Sequence, residues 1–403
     1  MYKRLPVVED AEARATDAAY SDRIRFRPFL VAAEQYAAAH KLILHGHAAN
    51  RLLTGQSEID FESMALSFYC AGAGATHARA LADLLWEVAP DGLSHYTTMV
   101  TKIPGRVFAI SVDGRDLVTL TSIEPDRHMV NKTIKAMLTP VQLRCMDVTV
   151  QLMDLYAGLC DPAQAGEWAA MLEVEPGVRA AYGKSEAPPH ASAPVPAALL
   201  QFAAGPGRVL VGPAALGRGA RAPGGVLQLV SAEPLESEAQ AILAAIGRPA
   251  RWAIHRANVP SAPRLKRLSV YDGAATIAEV YNAGAYELVP FARRAVGGVE
   301  CRVGTPFAVA RFGLADAWMA RPGRRASGVA AAAALAAATP PAELLPVADY
   351  VGRSVDHMLE QRRSLQAAAD AGRTVKFYGP YMPAQRTRTG AAEDYDEDYD
   401  NEF

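Results

Sequence analysis

The stretch from Lys41 to Leu85 constrains the fold of this chain more than any other. An apolar run ends at a glycine, Gly46, and passes at once into a helical pattern. A second apolar run, Ala65 to Tyr69, is followed by small residues and another helical pattern. The order strand, glycine turn, helix, strand predicts an α/β sheet. Backbone N–H groups at such a turn can hold a phosphate, so Gly46 and the following His47 are candidate nucleotide-binding residues.

The second half of the sequence repeats this order. Three segments of the first half have counterparts later in the chain, and the counterparts follow one another in the same order. The pairs are Leu42–Ala49 with Val209–Leu216, which places Gly212 at the turn, Ala65–Cys70 with Val226–Ser231, and Ala109–Gly114 with Leu268–Gly273. The shared order predicts two copies of one α/β unit.

Composition divides the chain into six parts. Ser185–Pro196 is rich in proline and predicts a linker, and Ala391–Phe403 is acidic and predicts disorder. The predicted parts are an N-terminal extension (1–27), a first α/β domain with a helical segment (28–184), the linker (185–196), a second α/β domain (197–320), a C-terminal helical region (321–390) and the acidic tail (391–403).

Secondary structure is predicted from periodicity and turn residues. Asp113-Gly114 lies between two apolar runs and predicts a β-hairpin that ends in Leu117–Ile123. Pro28–His40 has helical spacing. Met129–Met137 and Val141–Ala157 are also predicted to be helices.

Charge and cysteine usage narrow the class of protein. The tail holds seven acidic residues and no basic one, so the rest of the chain carries 41 basic against 36 acidic residues. A mildly basic body is compatible with anion binding and equally with an ordinary solvated surface. The four cysteines lie far apart without a CxxC motif, which favours reduced thiols in an intracellular protein. No signal peptide or membrane span is expected.

Several short segments along the chain resemble one known family. They are Gly46-His-Ala-Ala, Ser67-Phe-Tyr-Cys70, Asp113-Gly114 with Val118-Thr-Leu-Thr121, Pro140–Tyr156 with Asp161-Pro162 and Trp168, Val280-Tyr-Asn282, Glu287-Leu-Val-Pro-Phe291, and Val303-Gly-Thr305 to Arg311. In their order and spacing, the chain resembles the catalytic subunit of the poly(A) polymerases of poxviruses and giant DNA viruses. The resemblance covers about Pro28 to Met382.

The resemblance implies a fold and an activity. The fold is two tandem nucleotidyltransferase-like units with a helical C-terminal region, the first unit catalytic and the second degenerate. The activity is adenylate transfer from ATP to RNA 3′ ends with Mg²⁺ or Mn²⁺. The implied partners are an RNA 3′ end and either a second copy of the chain or another subunit of a polyadenylation complex, with no membrane. The implied location is the cytoplasm of the infected host cell, or the virion.

The residues at the implied catalytic positions depart from the family. Its glycine turn is Gly-Gly or Gly-Ser, whereas this chain has Gly46-His47, whose side chain would crowd a phosphate. Its three metal-binding aspartates fall on Ala65, Ser67 and Thr119. Two-metal transfer needs carboxylates that hold two cations about 4 Å apart. The sequence therefore predicts a catalytically impaired homologue that retains RNA or partner binding.

Two alternatives remain open. Asp60 and Glu62 lie at an acceptable spacing from the turn, so an active enzyme could use them with a third, unidentified carboxylate. A structural or virion protein could also have reused the fold. A metal site at His40, His45 and His47 is disfavoured, because no acid or cysteine accompanies them at ligand spacing.

Basic residues are concentrated in the second half and are interspersed with aromatic residues. Arginine beside aromatic side chains is typical of a groove for single-stranded nucleic acid, although scattered solvated arginines would look the same. The candidate RNA-binding residues are Arg251, Arg256, Arg264, Lys266, Arg267, Arg293 and Arg294.

Overall fold

The computed structural model of the chain describes residues 25–55, 65–88, 97–103, 106–123, 130–161, 164, 167–182, 192–215, 221–223, 225–256, 259, 262, 265–282, 289–319 and 350–351. Several predictions fall outside these residues. They concern most of the N-terminal extension, the acids Asp60 and Glu62, Arg264, the acidic tail, and the C-terminal helical region apart from a two-residue strand.

The first unit is built on a seven-stranded sheet. Its strands are β1 (Ile43–His45), β2 (Leu66–Ala71), β3 (Thr97–Ile103), β4 (Val107–Val112), β5 (Arg115–Ile123), β6 (Val130–Lys135) and β7 (Gln142–Met146). They lie in the order β3-β4-β5-β2-β1-β7-β6. The helices are α1 (residues 25–39), α2 (Gly46–Leu53), α3 (Gly74–Glu87), α4 (Val148–Cys160) and α5 (Trp168–Tyr182).

The second unit is built on an eight-stranded sheet. Its strands and those of a small two-stranded sheet are β8 (Ser192–Pro194), β9 (Arg208–Leu210), β10 (Arg221–Pro223), β11 (Leu227–Ser231), β12 (Arg251–Arg256), β13 (Lys266–Asp272), β14 (Ala275–Asn282), β15 (Val289–Val296), β16 (Val299–Gly304) and β17 (Tyr350–Val351). The larger sheet has the order β12-β13-β14-β11-β9-β16-β15-β17, and β8 pairs with β10. The helices are α6 (Ala197–Ala203), α7 (Leu235–Ile246) and α8 (Pro306–Met319), with a 3₁₀ turn at Pro213–Ala215.

Strand order confirms the duplication. In the first sheet β1 runs antiparallel to β2 and parallel to β7. In the second sheet β9 runs antiparallel to β11 and parallel to β16. Gly46 follows β1 and begins α2, and Gly212 lies at the equivalent place after β9, just before the 3₁₀ turn. Seven strands thus correspond one to one, and only β17 extends the second sheet.

One predicted correspondence is out of register by one residue. Leu268 pairs with Val280, and the equivalent pair in the first sheet is Phe108 with Leu120, so Leu268 matches Phe108 and not Ala109. The reason lies in the turns. Asp113 and Gly114 are both loop residues of the β4–β5 hairpin, with φ angles of 52° and 79°. In the β13–β14 hairpin the loop begins at Gly273, because the aspartate before it still pairs within the strand.

Several secondary-structure predictions were wrong. Met129–Met137 contains a strand, β6, and the predicted helix Val141–Ala157 begins with another, β7. Burial along β7 alternates between exposed Gln142 and Arg144 and buried Leu143 and Cys145, the two-residue period of a half-buried strand. The end of the predicted linker forms β8, and the predicted C-terminal helical region contributes β17. In each case pairing with a neighbouring strand overrode local pattern.

Helices cover the outer faces of both sheets, and α4, α5 and α8 contribute to the core between them. Side chains of α1 and α3 form an apolar core with the first sheet, and those of α6 and α7 form one with the second. The largest core lies between the sheets and combines α4 and α8 with residues of both. At its centre the rings of Tyr156 and Phe307 stack at 5.4 Å. The two units therefore share one interior.

Two general expectations concern the whole molecule. The four cysteines, Cys70, Cys145, Cys160 and Cys301, are buried free thiols. Within the described residues, no helix combines the length and apolar character that crossing a membrane requires.

Candidate active site and candidate nucleic-acid interface

The sequence-predicted positions Gly46, Ser67 and Thr119 converge at one place on the first sheet. Ser67 lies opposite His45, the last residue of β1, and beside Thr119 on the parallel strand β5. A Cβ atom placed on Gly46 would lie 3.5 Å from the Cβ atom of Ser67. Ala65 precedes β2 by one residue, on the same side as Ser67 in the two-residue repeat of a strand. The structure thus brings the predicted positions together at one place, and nucleotide binding there stays a prediction.

The side chains at these positions do not fit a pair of divalent metal ions. A methyl group and two neutral hydroxyls supply no carboxylate, the ligand that Mg²⁺ prefers. In the part of the chain that the structure describes, no three His, Cys, Asp or Glu side chains are grouped so that they could hold a metal ion.

The glycine turn is closed by a side chain that sequence reasoning missed. The backbone N–H of Gly46 donates a hydrogen bond to Oε1 of Gln151, at 3.2 Å. Gln151 lies on α4 and is fully buried. The first turn of α4 is held by Asp147, whose carboxylate accepts the N–H of Thr149 at 2.7 Å. Gln151 therefore occupies the donor that a phosphate would need. The only signal in the sequence is one polar amide within the apolar stretch of α4.

An aromatic pair covers the sheet beside Ser67. The rings of His45 and Tyr69 stack with their centroids 3.7 Å apart. Burial lowers the pKa of His45 to about 3, so its imidazole is neutral at physiological pH. Burial, together with the nearby carboxylate of Asp154, raises the pKa of Tyr69 well above its usual value. The hydroxyl of Tyr69 donates to Oδ2 of Asp154 at 3.4 Å. His47, in the first turn of α2, is half-buried.

The equivalent position in the second unit holds a cluster of charged and polar side chains. Gln228 matches Ser67 and Glu279 matches Thr119, because β11 and β14 pair in the same register as β2 and β5. Gln228 donates to Glu279, whose carboxylate also lies 3.3 Å from the guanidinium of Arg267. Arg267 forms a second ion pair with Asp316 on α8. A cation supplied by the protein thus neutralises the acid at this position.

Two of the three histidines considered as a metal site lie in separate aromatic groups. The ring of His40 lies 4.1 Å from that of Tyr36, tilted by 30°, and 5.4 Å from His77, while His45 stacks on Tyr69. The Tyr36 hydroxyl and Nδ1 of His77 are hydrogen-bonded at 3.0 Å. Burial and the neighbouring His40 lower the pKa of His77. These contacts give the histidines packing roles.

The candidate RNA-binding residues do not form one patch. β12 and β15 are six strand spacings apart, so Arg251 and Arg256 lie about 29 Å from Arg293 and Arg294. Arg267 is committed to its ion pairs and largely buried. Two residues remain together, since Arg256 and Lys266 lie directly opposite each other on β12 and β13. The candidate residues are therefore not one cluster, because a linear sequence does not show where in the sheet a strand lies; their binding to RNA stays a prediction.

Comparisons with known proteins agree on fold and on viral relatives. The crystal structure of the Megavirus polyadenylate synthase is similar to this chain with a TM-score of 0.63, at 12% sequence identity, covering 96% of this chain and 87% of that one. By sequence, the chain is 29% identical over 347 residues to an uncharacterized protein of a Malawi tick isolate of African swine fever virus, covering 79% of this chain and 81% of that protein. A protein of a South African isolate matches equally, at 29% over 349 residues. No family model matches the sequence. The chain thus has the fold of a viral polyadenylate synthase, as the sequence predicted.

Proposed function

We propose that this chain acts in a viral RNA 3′-polyadenylation system as a catalytically impaired homologue of the poly(A) polymerase catalytic subunit. It retains binding to the RNA 3′ end or to a partner subunit. It works in the cytoplasm of the infected host cell or is carried in the virion. The proposal rests on a fold like that of the Megavirus enzyme together with viral relatives by sequence.

The observation that carries the impaired state is the hydrogen bond from Gly46 to Gln151. A triphosphate would have to displace a fully buried amide, which would leave the amide without this partner. Leaving a buried polar group unsatisfied costs about 1–3 kcal/mol. Ser67 and Thr119 then offer no carboxylate for the metal ions that in-line transfer uses. Loss of the phosphate-binding turn and loss of the metal ligands would both lower the rate of adenylate transfer.

The deciding experiment is primer extension with ATP and either Mg²⁺ or Mn²⁺, with an active viral poly(A) polymerase as positive control. The wild type is expected to add no adenylate to an RNA primer while still binding it. An Asp60→Ala, Glu62→Ala double variant is the matched comparison. Metal-dependent extension that the double variant loses would overturn the impaired-homologue proposal in favour of an active enzyme that uses Asp60 and Glu62. If the wild type shows no extension and binds neither RNA nor a partner, a structural or virion role is favoured.

A further inference from the structure

The outer edge of the second sheet combines an exposed aromatic ring with cations. β12 is the edge strand, and Trp252 on it is 37% exposed, the one large apolar side chain exposed among the described residues. Arg256 lies four residues further along the same strand. Lys266 lies opposite Arg256 on β13. We define Trp252, Arg256 and Lys266 as the β12 surface.

The two cations of the β12 surface are not balanced by acids within the described residues. Like charges directly opposite each other on antiparallel strands are destabilising. The structure gives neither Arg256 nor Lys266 an ion pair among those residues. The next residue of β13, Arg267, is paired with two carboxylates. Among the described residues, the edge thus keeps an unfavourable cation pair that an anionic ligand would relieve.

The strand fixes the relative positions of these groups. Trp252, Ile254 and Arg256 share one face of β12, because successive side chains alternate. Ile254 packs partly into the apolar core beneath α7. The four residues from Trp252 to Arg256 span about 13 Å. The sheet therefore fixes the backbone positions of the ring and the cations, so binding need not order the backbone there.

We propose that the β12 surface binds single-stranded RNA, with a base stacked on Trp252 and phosphates paired with Arg256 and Lys266. This surface is the site of the RNA binding that the proposed function includes, so the proposal rests on that function. Stacking on an aromatic ring beside cations is how proteins hold single strands without reading sequence. A duplex offers no unstacked base to Trp252, so single strands are preferred.

The test measures binding of the full-length chain to a fluorescent single-stranded 20-nucleotide RNA over a range of salt concentrations. Trp252→Ala should weaken binding about 5- to 150-fold, and Trp252→Phe should recover most of the loss. Arg256→Ala with Lys266→Ala should lower the slope of log affinity against log salt by about 1.4, the value for two phosphate contacts on a single strand. Lys102→Ala is the control, because Lys102 is an exposed cation on the edge strand β3 of the first sheet and pairs with Asp116.

Each outcome has a separate meaning. If the β12 variants bind RNA with the affinity and salt slope of the wild type, the β12 surface is not the RNA-binding site, and the proposed function still stands. An equal loss of RNA affinity in Lys102→Ala would also contradict the assignment, since the affinity would then depend on the net charge of the protein and not on this surface. No RNA binding by the wild type would remove RNA binding from the proposed function as well. Tighter binding of duplex RNA than of single strands would contradict the stacking role of Trp252. Unchanged melting temperatures in the variants exclude misfolding as the cause of a loss.

Discussion

The side-chain amide of Gln228 donates a hydrogen bond to Oε2 of Glu279 at 2.7 Å, across the two strands whose counterparts in the first unit carry Ser67 and Thr119. The second unit has thus kept a carboxylate at a position where the first has a hydroxyl. The acid is held by Arg267 and cannot bind a metal ion without breaking that ion pair. Across the duplication, the two copies fill the same place with different chemistry.

Replacing Arg267 by methionine should destabilise the protein strongly. Methionine keeps much of the volume but leaves the largely buried carboxylates of Glu279 and Asp316 without their cation. Breaking a buried pair by removing one partner costs about 3–5 kcal/mol. The urea midpoint of the variant should fall accordingly, and adding Glu279→Gln should recover part of the loss.

The control for this prediction is Arg248→Met. Arg248 pairs with Asp272, but its side chain is 59% exposed, so the loss should not exceed about 1 kcal/mol. Equal effects of the two methionine variants would mean that the cluster around Arg267 contributes no more than a surface ion pair.

The two equivalent glycines should respond to alanine for different reasons. Gly46 has a φ angle of +72°, so Gly46→Ala should cost about 1–2 kcal/mol in backbone strain. At Gly212 a new Cβ would lie 2.5 Å from the Cβ of Gln228, so Gly212→Ala forces the turn away from β11 and should cost about 1–3 kcal/mol. Denaturant midpoints measure both.

Gly247→Ala separates strain from crowding. Gly247 ends α7 with a φ angle of +64°, and no atom lies within 4 Å of its added Cβ. Gly46→Ala should match this variant, while Gly212→Ala should also shift the contacts of Gln228. A harmless Gly212→Ala would show that the close approach of this turn to β11 is not required.

Acid should destabilise the protein through His45. Its pKa is about 3 in the folded chain and about 6.5 when unfolded. Only the unfolded chain gains a proton between these values, so the contribution is complete above pH 6.5 and is lost as pH falls toward 3. The maximal slope is about 1.4 kcal/mol per pH unit.

His45→Phe isolates this contribution, because phenylalanine keeps the stack on Tyr69 and cannot be protonated. The free energies of unfolding of wild type and variant, measured between pH 7 and pH 4, should diverge as pH falls, with the variant losing less. Parallel curves would contradict a His45 that stays neutral in the folded protein.

Carboxylates introduced at the convergent positions should create a metal-dependent stability. Ala65→Asp, Ser67→Asp and Thr119→Asp together place three acids around one point, so the variant should melt lower than the wild type in a chelator. Mn²⁺ should raise its melting temperature, because a free Mn²⁺ concentration of one hundred times the dissociation constant stabilises the folded state by about 2.7 kcal/mol. Asn at the same positions is the control and should not respond. An equal response of the wild type would show that another metal site dominates.

The sequence predicted features that depend on local pattern and on order. The turn at Gly46, the hairpin at Asp113-Gly114 and the two repeated units all belong to this class. It could not show that Gln151, 105 residues away, reaches the N–H of Gly46, since that contact depends on how α4 packs on the sheet. Nor could it show that Arg256 and Arg293 lie six strand spacings apart, because strand order is a tertiary property. Sheet pairing likewise overrode the helical pattern around β6 and β7.

The packing of α4 against α8 joins the two duplicated units of this single chain as the subunits of an obligate dimer are joined, with a covalent link in addition. The core between the sheets draws residues from both copies, as an obligate homodimer interface does, so either half made alone would expose an apolar face and aggregate. The same packing opposes a hinge between the copies, because opening them would expose the rings of Tyr156 and Phe307 to water. A ligand must therefore bind to surfaces that are already formed, and any large motion on binding must come from segments outside this shared interior.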